Sequence, residues 1–245
     1  MTSHSERHRT LTVLSLMVTV VLMSGYLAFS TSPVALRVRG LLGEGRLDPA
    51  VTSDTVGPYA FMATQRGSDS PVGFSPCRPV EYAVNPAGAP DGWREDVRAS
   101  IGAVARATGL RFEYVGTTDD RDFDDRIGAG GDAEPVLLGW ADQEEVSALE
   151  GDVAGIGGAT MVERGGLRGY VTGSVVLDTA STDRLAYERD GQALHRGLLM
   201  HELGHVVGLD PVDDRGELMY AEGVSRPDFG PGDLAGLARL GAVGC

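Results

Sequence analysis

The sequence predicts an α+β domain of α/β-like character. Three observations lead to this prediction. Five short segments have the composition of β-strands, two longer segments carry apolar residues at helical spacing, and the first of these helices lies between the first two strands. A strand, a helix and a strand in succession favour a parallel pair joined by a right-handed crossover.

The predicted elements follow one another along the chain. The first strand, "RPVEYAVN", ends at Asn85 and Pro86, and the helix after it has Asp91 as a candidate cap and Gly109 as a stop signal. The other strands are "LRFEYVG", "EPVLLGWA", "GIGGATMV" and "GYVTGSVVLD". The glycines of "GIGG" predict an edge strand or a close approach by another backbone. The second helix is largely apolar and ends near Val207.

The chain of 245 residues is long enough for one well-buried domain with an added anchor. Residues 1–36 are predicted to form a cytoplasmic N-terminus and a transmembrane anchor, because residues 11–30 are an uncharged run of bilayer-spanning length. A cleaved signal segment, with a small-residue site at residues 28–30, is the alternative. Residues 37–76 are rich in Gly, Ser, Pro, Thr and Asp and predict a flexible linker, so the folded domain is expected at residues 77–245.

Charge and cysteine content predict an exported protein that does not bind nucleic acid. The formal net charge is -14, so the chain repels phosphate backbones and anionic headgroups. All 21 basic residues are arginine, which leaves no lysine for Schiff-base chemistry. Cys77 and Cys245 are predicted to form a disulfide, with two unrelated buried thiols as the alternative. We expect a single-pass cell-membrane protein with its domain on the extracytoplasmic side, or a secreted protein if the N-terminal segment is cleaved.

The segment "DDRDFDDR" at residues 119–126 is a dense cluster of charge. Its composition is typical of a solvated loop. A calcium site is the alternative, but the segment has neither the glycine nor the ligand spacing of a calcium-binding loop. We therefore predict a solvated loop.

The strongest functional signal is "HELGH" at residues 201–205. His201 and His205 are four residues apart on the second predicted helix, which places both imidazoles on one face and close enough to bind one ion. Zinc accepts neutral imidazole, and Glu202 is suited to take a proton from a zinc-bound water. Two hydrogen-bonded packing histidines are the alternative. His195, six residues before His201, points away from this face and is expected to be a capping or surface residue.

The stretch "HELGHVVGLDP" followed by "LMY" resembles the zinc signature of the metzincins, and the order of elements resembles the matrixin branch. The resemblance implies a twisted mixed five-stranded sheet with an N-terminal helix, a zinc-site helix and a C-terminal helix in "GPGDLAGLARLGA". It also implies His201 and His205 as zinc ligands, Glu202 as general base, Gly208 as the turning residue and Met219 as the Met-turn. "GIGGATMV" takes the position of the substrate-aligning edge strand.

Pro211 stands where the resemblance expects a third histidine ligand, and proline has no donor atom for a metal. Asp210 is the nearest carboxylate and is our candidate third ligand, although a shift of one residue points a side chain the other way in extended backbone. Further carboxylates follow: Asp213, Asp214, Glu217 and Glu222. Asp213 or Asp214 is the alternative third ligand. Glu217 or Glu222 as a ligand would indicate a different class of zinc site. A site without a third ligand is the remaining alternative.

Together these features predict a zinc-dependent metalloendopeptidase that acts on peptide bonds of extracytoplasmic proteins. Zinc is the expected cofactor, a peptide or protein is the expected substrate, and Glu202 is the expected general base for a zinc-activated water. The substrate would add as a strand to the "GIGGATMV" edge. The alternative is a non-catalytic exported domain whose zinc site is impaired by Pro211 and which binds a partner.

Overall fold

The computed structural model describes residues 45–224 and 226–245, together with residues 17, 19–20, 22–23 and 25–26. Leu47–Val243 form one compact unit, and Met1–Arg46 with Gly244–Cys245 form a second. The described residues between 17 and 26 are helical, and most of the predicted anchor lies outside the described residues. No helix of the described part is long and apolar enough to cross a membrane. Cys77 and Cys245 are both disulfide-bonded, which confirms the predicted pairing.

The compact unit Leu47–Val243 is built on a mixed five-stranded sheet. Its strands are β2 (Val80–Val84), β3 (Phe112–Thr117), β4 (Val136–Ala141), β5 (Gly155–Arg164) and β6 (Leu167–Asp178). In the order β3-β2-β4-β6-β5, the first four are parallel to their neighbours and β5 runs antiparallel at the edge. All of β4 is buried, as expected for an apolar strand covered on both faces. The predicted α+β class is confirmed.

Four α-helices lie in residues 45–224 and 226–245. They are α1 (Trp93–Thr108), α2 (Thr179–Ala186), α3 (Gly191–Val207) and α4 (Pro231–Gly241). Helix α1 lies between β2 and β3 in the chain, and Gly109 ends it in the left-handed conformation, as predicted. Gly92 precedes α1 without a side-chain cap, so the predicted capping by Asp91 is wrong. Helix α2 was not predicted; the side chain of Asp178 caps it by accepting the N–H of Ser181.

The main hydrophobic core lies between one face of the sheet and helices α1, α3 and α4. Leu138 and Trp140 of β4 belong to this core, whereas Leu137 belongs to a smaller cluster with Val176. Neighbouring residues of β4 fall in different clusters because successive side chains of a strand point to opposite faces. Helix α3 packs against β5 and β6, so it lies over the end of the sheet that is formed by the edge strand β5 and its neighbour.

Residues 47–76 lie against the domain, in contrast to the flexible linker expected for residues 37–76. Strand β1 (Ala60–Phe61) pairs antiparallel with β7 (Leu209–Asp210), which directly follows helix α3. Val72 and Phe74 are part of the main core. The compact unit therefore begins at Leu47 and includes a long segment before residue 77.

The acidic segment 119–126 folds around a buried arginine. The Arg126 side chain, 3% exposed, donates to Asp120 Oδ2 at 2.5 Å and to the Pro135 carbonyl at 3.0 Å. Its Nη1 also lies 2.9 Å from Glu134 Oε2. A guanidinium group therefore neutralises part of the acidic charge, while other carboxylates such as Asp122 are exposed as predicted.

Candidate metal centre

His201 and His205 lie on consecutive turns of α3 and direct their Nε2 atoms towards each other. The two Nε2 atoms are 3.2 Å apart, and the ring planes are at 85°. Leu199, Leu203 and Val206 bury the rest of this helix segment in the core. The four-residue spacing therefore leaves both imidazoles on the one face that the core does not cover, and the structure brings the two predicted ligands together.

The Nδ1 atom of each histidine is bonded to a backbone carbonyl, and this fixes the tautomer. His201 Nδ1 donates to Leu218 O at 2.7 Å, and His205 Nδ1 donates to Leu209 O at 2.9 Å. A carbonyl oxygen only accepts, so each neutral ring carries its proton on Nδ1 and a lone pair on Nε2. Burial lowers the pKa of His201 to about 4 and also lowers the pKa of His205, against the raising effect of these hydrogen bonds. Both rings are therefore neutral at pH 7.

The convergent lone pairs of His201 and His205 fit a divalent metal ion. With Zn–N bonds of about 2.0 to 2.1 Å, an N···N distance of 3.2 Å corresponds to an N–Zn–N angle of about 100°, near the tetrahedral value. Two facing lone pairs repel each other, and a cation between them removes the repulsion. The Nδ1–H···O=C bonds are contacts of the kind that orient histidine ligands of metals. Both imidazoles therefore fit as zinc ligands.

A third ligand is not in place beside the two histidines. No group of three or more His, Cys, Asp or Glu side chains in the described residues is arranged to hold a metal ion. Asp210, our candidate, is exposed on β7 opposite Ala60 of β1. Its negative charge partly opposes the lowering of the His205 pKa by burial. Asp210 is therefore near enough to act on His205 electrostatically, and its role as a ligand stays a prediction.

The other carboxylates near Pro211 make different contacts. Glu217 is buried, and both of its oxygens accept N–H groups at the start of α4. Glu222 accepts from the hydroxyl of Tyr220 at 2.5 Å. Asp214 accepts an N–H of its own turn, and Asp213 is exposed. These contacts do not favour the zinc class that takes a distant glutamate as ligand.

Glu202 is buried beside strand β5. Its side chain is 4% exposed, and the N–H of Gly157 donates to its carboxylate. Burial raises the pKa of Glu202 to about 8, against the lowering effect of this hydrogen bond. A nearby dication would lower that pKa again. A carboxyl group that exchanges its proton near neutral pH meets the requirement for a general base or acid.

Two glycines of β5 allow the strand to approach helix α3. A Cβ atom on Gly157 would clash with the backbone of Glu202, and one on Gly155 would lie 3.1 Å from Glu202 Oε1. A Cβ on Gly158 would meet no atom within 4 Å. The two predictions for "GIGG" are both confirmed, since β5 is an edge strand and another backbone approaches it closely.

Met219 packs beneath the histidine helix. It is fully buried, and its sulfur lies 2.6 Å from where a Cβ of Gly204 would be, so the absence of a side chain at Gly204 makes room for it. Gly208 ends α3 with a φ of 118°, in the left-handed region that favours glycine, and turns the chain into β7. Gly208 thus turns the chain, and Met219 forms an apolar floor under the helix.

His195 is not a capping or surface residue, so that prediction was wrong. It is 4% exposed, and its Nδ1 lies 3.0 Å from Asp96 Oδ2 on helix α1. Its ring stacks against Trp140, with the centroids 6.3 Å apart. A long-range contact with a carboxylate on another helix explains why spacing along the chain did not reveal its position.

Asp233 lies near the site and was not predicted from the sequence. It is buried in the first turn of α4, and its carboxylate accepts the N–H groups of Leu218, Met219 and Gly230. An aspartate soon after a proline at the start of a helix is a signal for helix capping. That signal predicts the bond to Gly230, whereas the bonds to the turn before α4 depend on the fold.

No protein-family model matches this chain, and no curated protein matches it either. The resemblance to the metzincins therefore rests on the sequence motif alone.

Proposed function

We propose that this protein is a zinc-dependent metalloendopeptidase that hydrolyses peptide bonds of extracytoplasmic proteins. The observation that supports this most strongly is the convergence of two neutral imidazoles, with Nε2 atoms 3.2 Å apart. A packing role does not require facing lone pairs, because each ring already has a carbonyl for its Nδ1–H. His201 and His205 would hold the zinc ion, with Asp210 as the candidate third ligand after a local rearrangement of β7.

Glu202 is the general base of the proposed reaction. Bound zinc would supply Lewis-acid chemistry that polarises the water and the scissile carbonyl. Glu202 takes a proton from the attacking water and passes it to the departing amine. The N–H of Gly157 donates to the carboxylate. The charge of a bound zinc ion would lower the pKa of Glu202 from its raised metal-free value, so that the carboxylate accepts a proton at neutral pH.

Strand β5 is the proposed substrate-binding edge. It is the last strand of the sheet, and no other strand among the described residues pairs with its outer side. An extended peptide would add as a further strand, held by main-chain hydrogen bonds whatever its sequence. Because Gly157 touches Glu202, a peptide bound along this edge would pass close to the general base.

The fold and the disulfide support the wider proposal. A sheet of four parallel strands with an antiparallel edge strand, the turn at Gly208 and the floor at Met219 accord with the matrixin-like resemblance. Disulfides persist in oxidising compartments, and the disulfide of Cys77 and Cys245 accords with an extracytoplasmic domain. We propose that the domain is anchored to the membrane by the N-terminal segment, or secreted after its cleavage.

A second candidate function is a non-catalytic exported domain that binds a partner. Pro211 favours it, together with the finding that the described residues contain no group of three metal-ligating side chains. In this case the edge of β5 would bind an extended partner segment without cleaving it.

The proposal is tested with Glu202→Gln in the full chain, with Glu144→Gln as the matched control because Glu144 is exposed. We expect the wild type and both variants to bind zinc with similar affinity. Turnover of an unfolded protein should fall about 100-fold or more in Glu202→Gln and stay at the wild-type level in Glu144→Gln. Zinc binding with cleavage by the wild type would exclude the second candidate. A wild type without zinc, or full turnover by Glu202→Gln, would contradict the proposal.

A further inference from the structure

We infer that Asp233 is a positioning residue of the metal centre, acting on His201 through the peptide group that joins Leu218 to Met219. The inference rests on the proposed zinc-dependent function and concerns how strongly His201 binds the metal ion. Asp233 does not touch the histidine, and it lies outside the "HELGH" signature.

The peptide group between Leu218 and Met219 connects the carboxylate to the imidazole. Its carbonyl accepts the Nδ1–H of His201 at 2.7 Å, and its N–H donates to Asp233 Oδ1 at 3.4 Å. Asp233 Oδ2 accepts the N–H of Leu218 at 2.6 Å and that of Gly230 at 2.8 Å. Asp233 is 1% exposed, so these contacts are shielded from water. Three donors therefore hold one carboxylate in a single orientation behind the turn.

The carboxylate affects His201 in two ways. Its short bond to the N–H of Leu218 fixes the position of the turn, and therefore of the carbonyl that orients the ring. Its negative charge next to the Met219 N–H also polarises the shared peptide group and makes the carbonyl a stronger acceptor. A stronger Nδ1–H bond raises the basicity of Nε2, as in carboxylate–histidine–metal contacts, with a peptide group inserted between carboxylate and ring.

His205 provides an internal comparison within the same protein. Its Nδ1–H donates to Leu209 O at 2.9 Å, and Leu209 is held by pairing with Phe61 of β1. This carbonyl is positioned by strand pairing and not by Asp233. Removing the charge of Asp233 should therefore shift the Nδ1–H resonance of His201 and leave the Nδ1–H resonance of His205 unchanged.

Glu217 provides a matched control residue. Like Asp233 it is a buried carboxylate at the start of α4, 2% exposed. Its oxygens accept the N–H groups of Gly232 and Asp233, at 3.0 and 2.9 Å. Its side chain therefore stabilises the same helix, and neither of these two hydrogen bonds is to the peptide group that holds His201.

The experiment compares Asp233→Asn and Glu217→Gln in the full chain by zinc affinity, by thermal unfolding and by the imidazole N–H resonances of the metal-free protein. Asp233→Asn should weaken zinc binding by about 10- to 100-fold and move the His201 Nδ1–H resonance upfield. Glu217→Gln should lower thermal stability to a similar degree and keep the wild-type zinc affinity. If Asp233→Asn does not fold, Asp233→Ser replaces it, with the same expectation.

Wild-type zinc affinity in the folded Asp233 variant, or an equal loss of affinity in Glu217→Gln, would overturn the inference. A wild type that binds no zinc would contradict the proposed function instead. The His201 resonance of the metal-free protein then still tests the inference, because an unchanged resonance in the Asp233 variant would overturn it.

Discussion

The Nε2 atoms of His201 and His205 face each other at 3.2 Å, and a carbonyl from a different part of the chain fixes each ring. Leu218 holds the first ring and Leu209 holds the second. Helical spacing alone places the two side chains on one face, but the two carbonyls decide which nitrogen of each ring is free. The candidate centre therefore depends on the folding of the segment after the helix as much as on the helix.

Gly157→Ala is expected to separate β5 from helix α3. The added Cβ would clash with the backbone of Glu202, so the strand or the helix must move. Overpacking of this kind costs about 1 to 3 kcal/mol, and we expect a loss of that size in the free energy of unfolding, together with reduced turnover. Denaturant unfolding and a cleavage assay measure the two effects. Gly158→Ala is the control, since its Cβ meets no atom within 4 Å, and equal behaviour of the two variants would contradict the close approach.

The parts of the structure that were predictable from the sequence are those set by short-range pattern. The spacing of His201 and His205 follows from the helical repeat, and the edge position of β5 follows from its glycines. Five strands and the helix between the first two were also recognisable, because apolar runs bounded by turn residues are local signals. The short helix α2 was missed because its sequence has no apolar stripe.

The parts that were not predictable depend on contacts between distant residues. The composition of residues 47–76 is that of a linker, yet Val72 and Phe74 are buried because the sheet and helices supply an apolar surface for them. His195 is buried because Asp96 on another helix bonds to it. The bonds of Asp233 to the turn before α4 likewise require the folded chain, and no spacing along the sequence encodes them.

A protein that begins at Pro71 is expected to be less stable than one that begins at Gly45. The shorter protein lacks β1, so Phe61 no longer pairs with Leu209 or packs on the core. Loss of one large apolar side chain from the core region costs about 2 kcal/mol, and weaker zinc binding should follow because Leu209 holds His205. Urea unfolding and zinc titration of both proteins measure this. Equal stability and affinity would show that residues 45–70 are dispensable.

The metal-free protein is expected to lose stability as the pH rises through the pKa of Glu202. Burial raises this pKa from 4.5 to about 8, so the folded chain binds more protons than the unfolded chain between these values. The stabilisation that comes from protonated Glu202 is complete below pH 4.5 and is lost as the pH rises through about 8. Glutamine does not titrate, so the unfolding free energy of Glu202→Gln should exceed that of the wild type by on the order of 5 kcal/mol at high pH, with little difference at low pH.

Denaturant unfolding of the wild type and of Glu202→Gln, with a chelator present and at several pH values between 4.5 and about 8, measures this difference in unfolding free energy. His201 acts in the opposite direction: its pKa falls from 6.5 to about 4, so stability is lost as the pH falls through that window. Both proteins keep His201, and its effect cancels in the difference between them. A difference that does not change with pH would contradict the raised pKa of Glu202.

Arg126→Met is expected to destabilise the acidic loop. It removes a guanidinium that is 3% exposed and leaves Asp120 and Glu134 without their cation, at a cost of about 1 to 3 kcal/mol. Arg66→Met is the control, because the pair of Arg66 with Glu163 is largely exposed and should contribute less than about 1 kcal/mol. Thermal unfolding measures both variants. An equal effect would mean that the buried guanidinium does not organise the loop.

We propose that this chain binds zinc at His201 and His205 although Pro211 replaces the expected third ligand. The most direct test is a zinc titration of the wild type, Asp210→Ala and Pro211→His, with cleavage of an unfolded protein measured on the same samples. We expect the wild type to bind one zinc ion and cleave the substrate, and Asp210→Ala to lose both properties. A wild type that binds no zinc, beside a Pro211→His variant that gains zinc and activity, would contradict the claim.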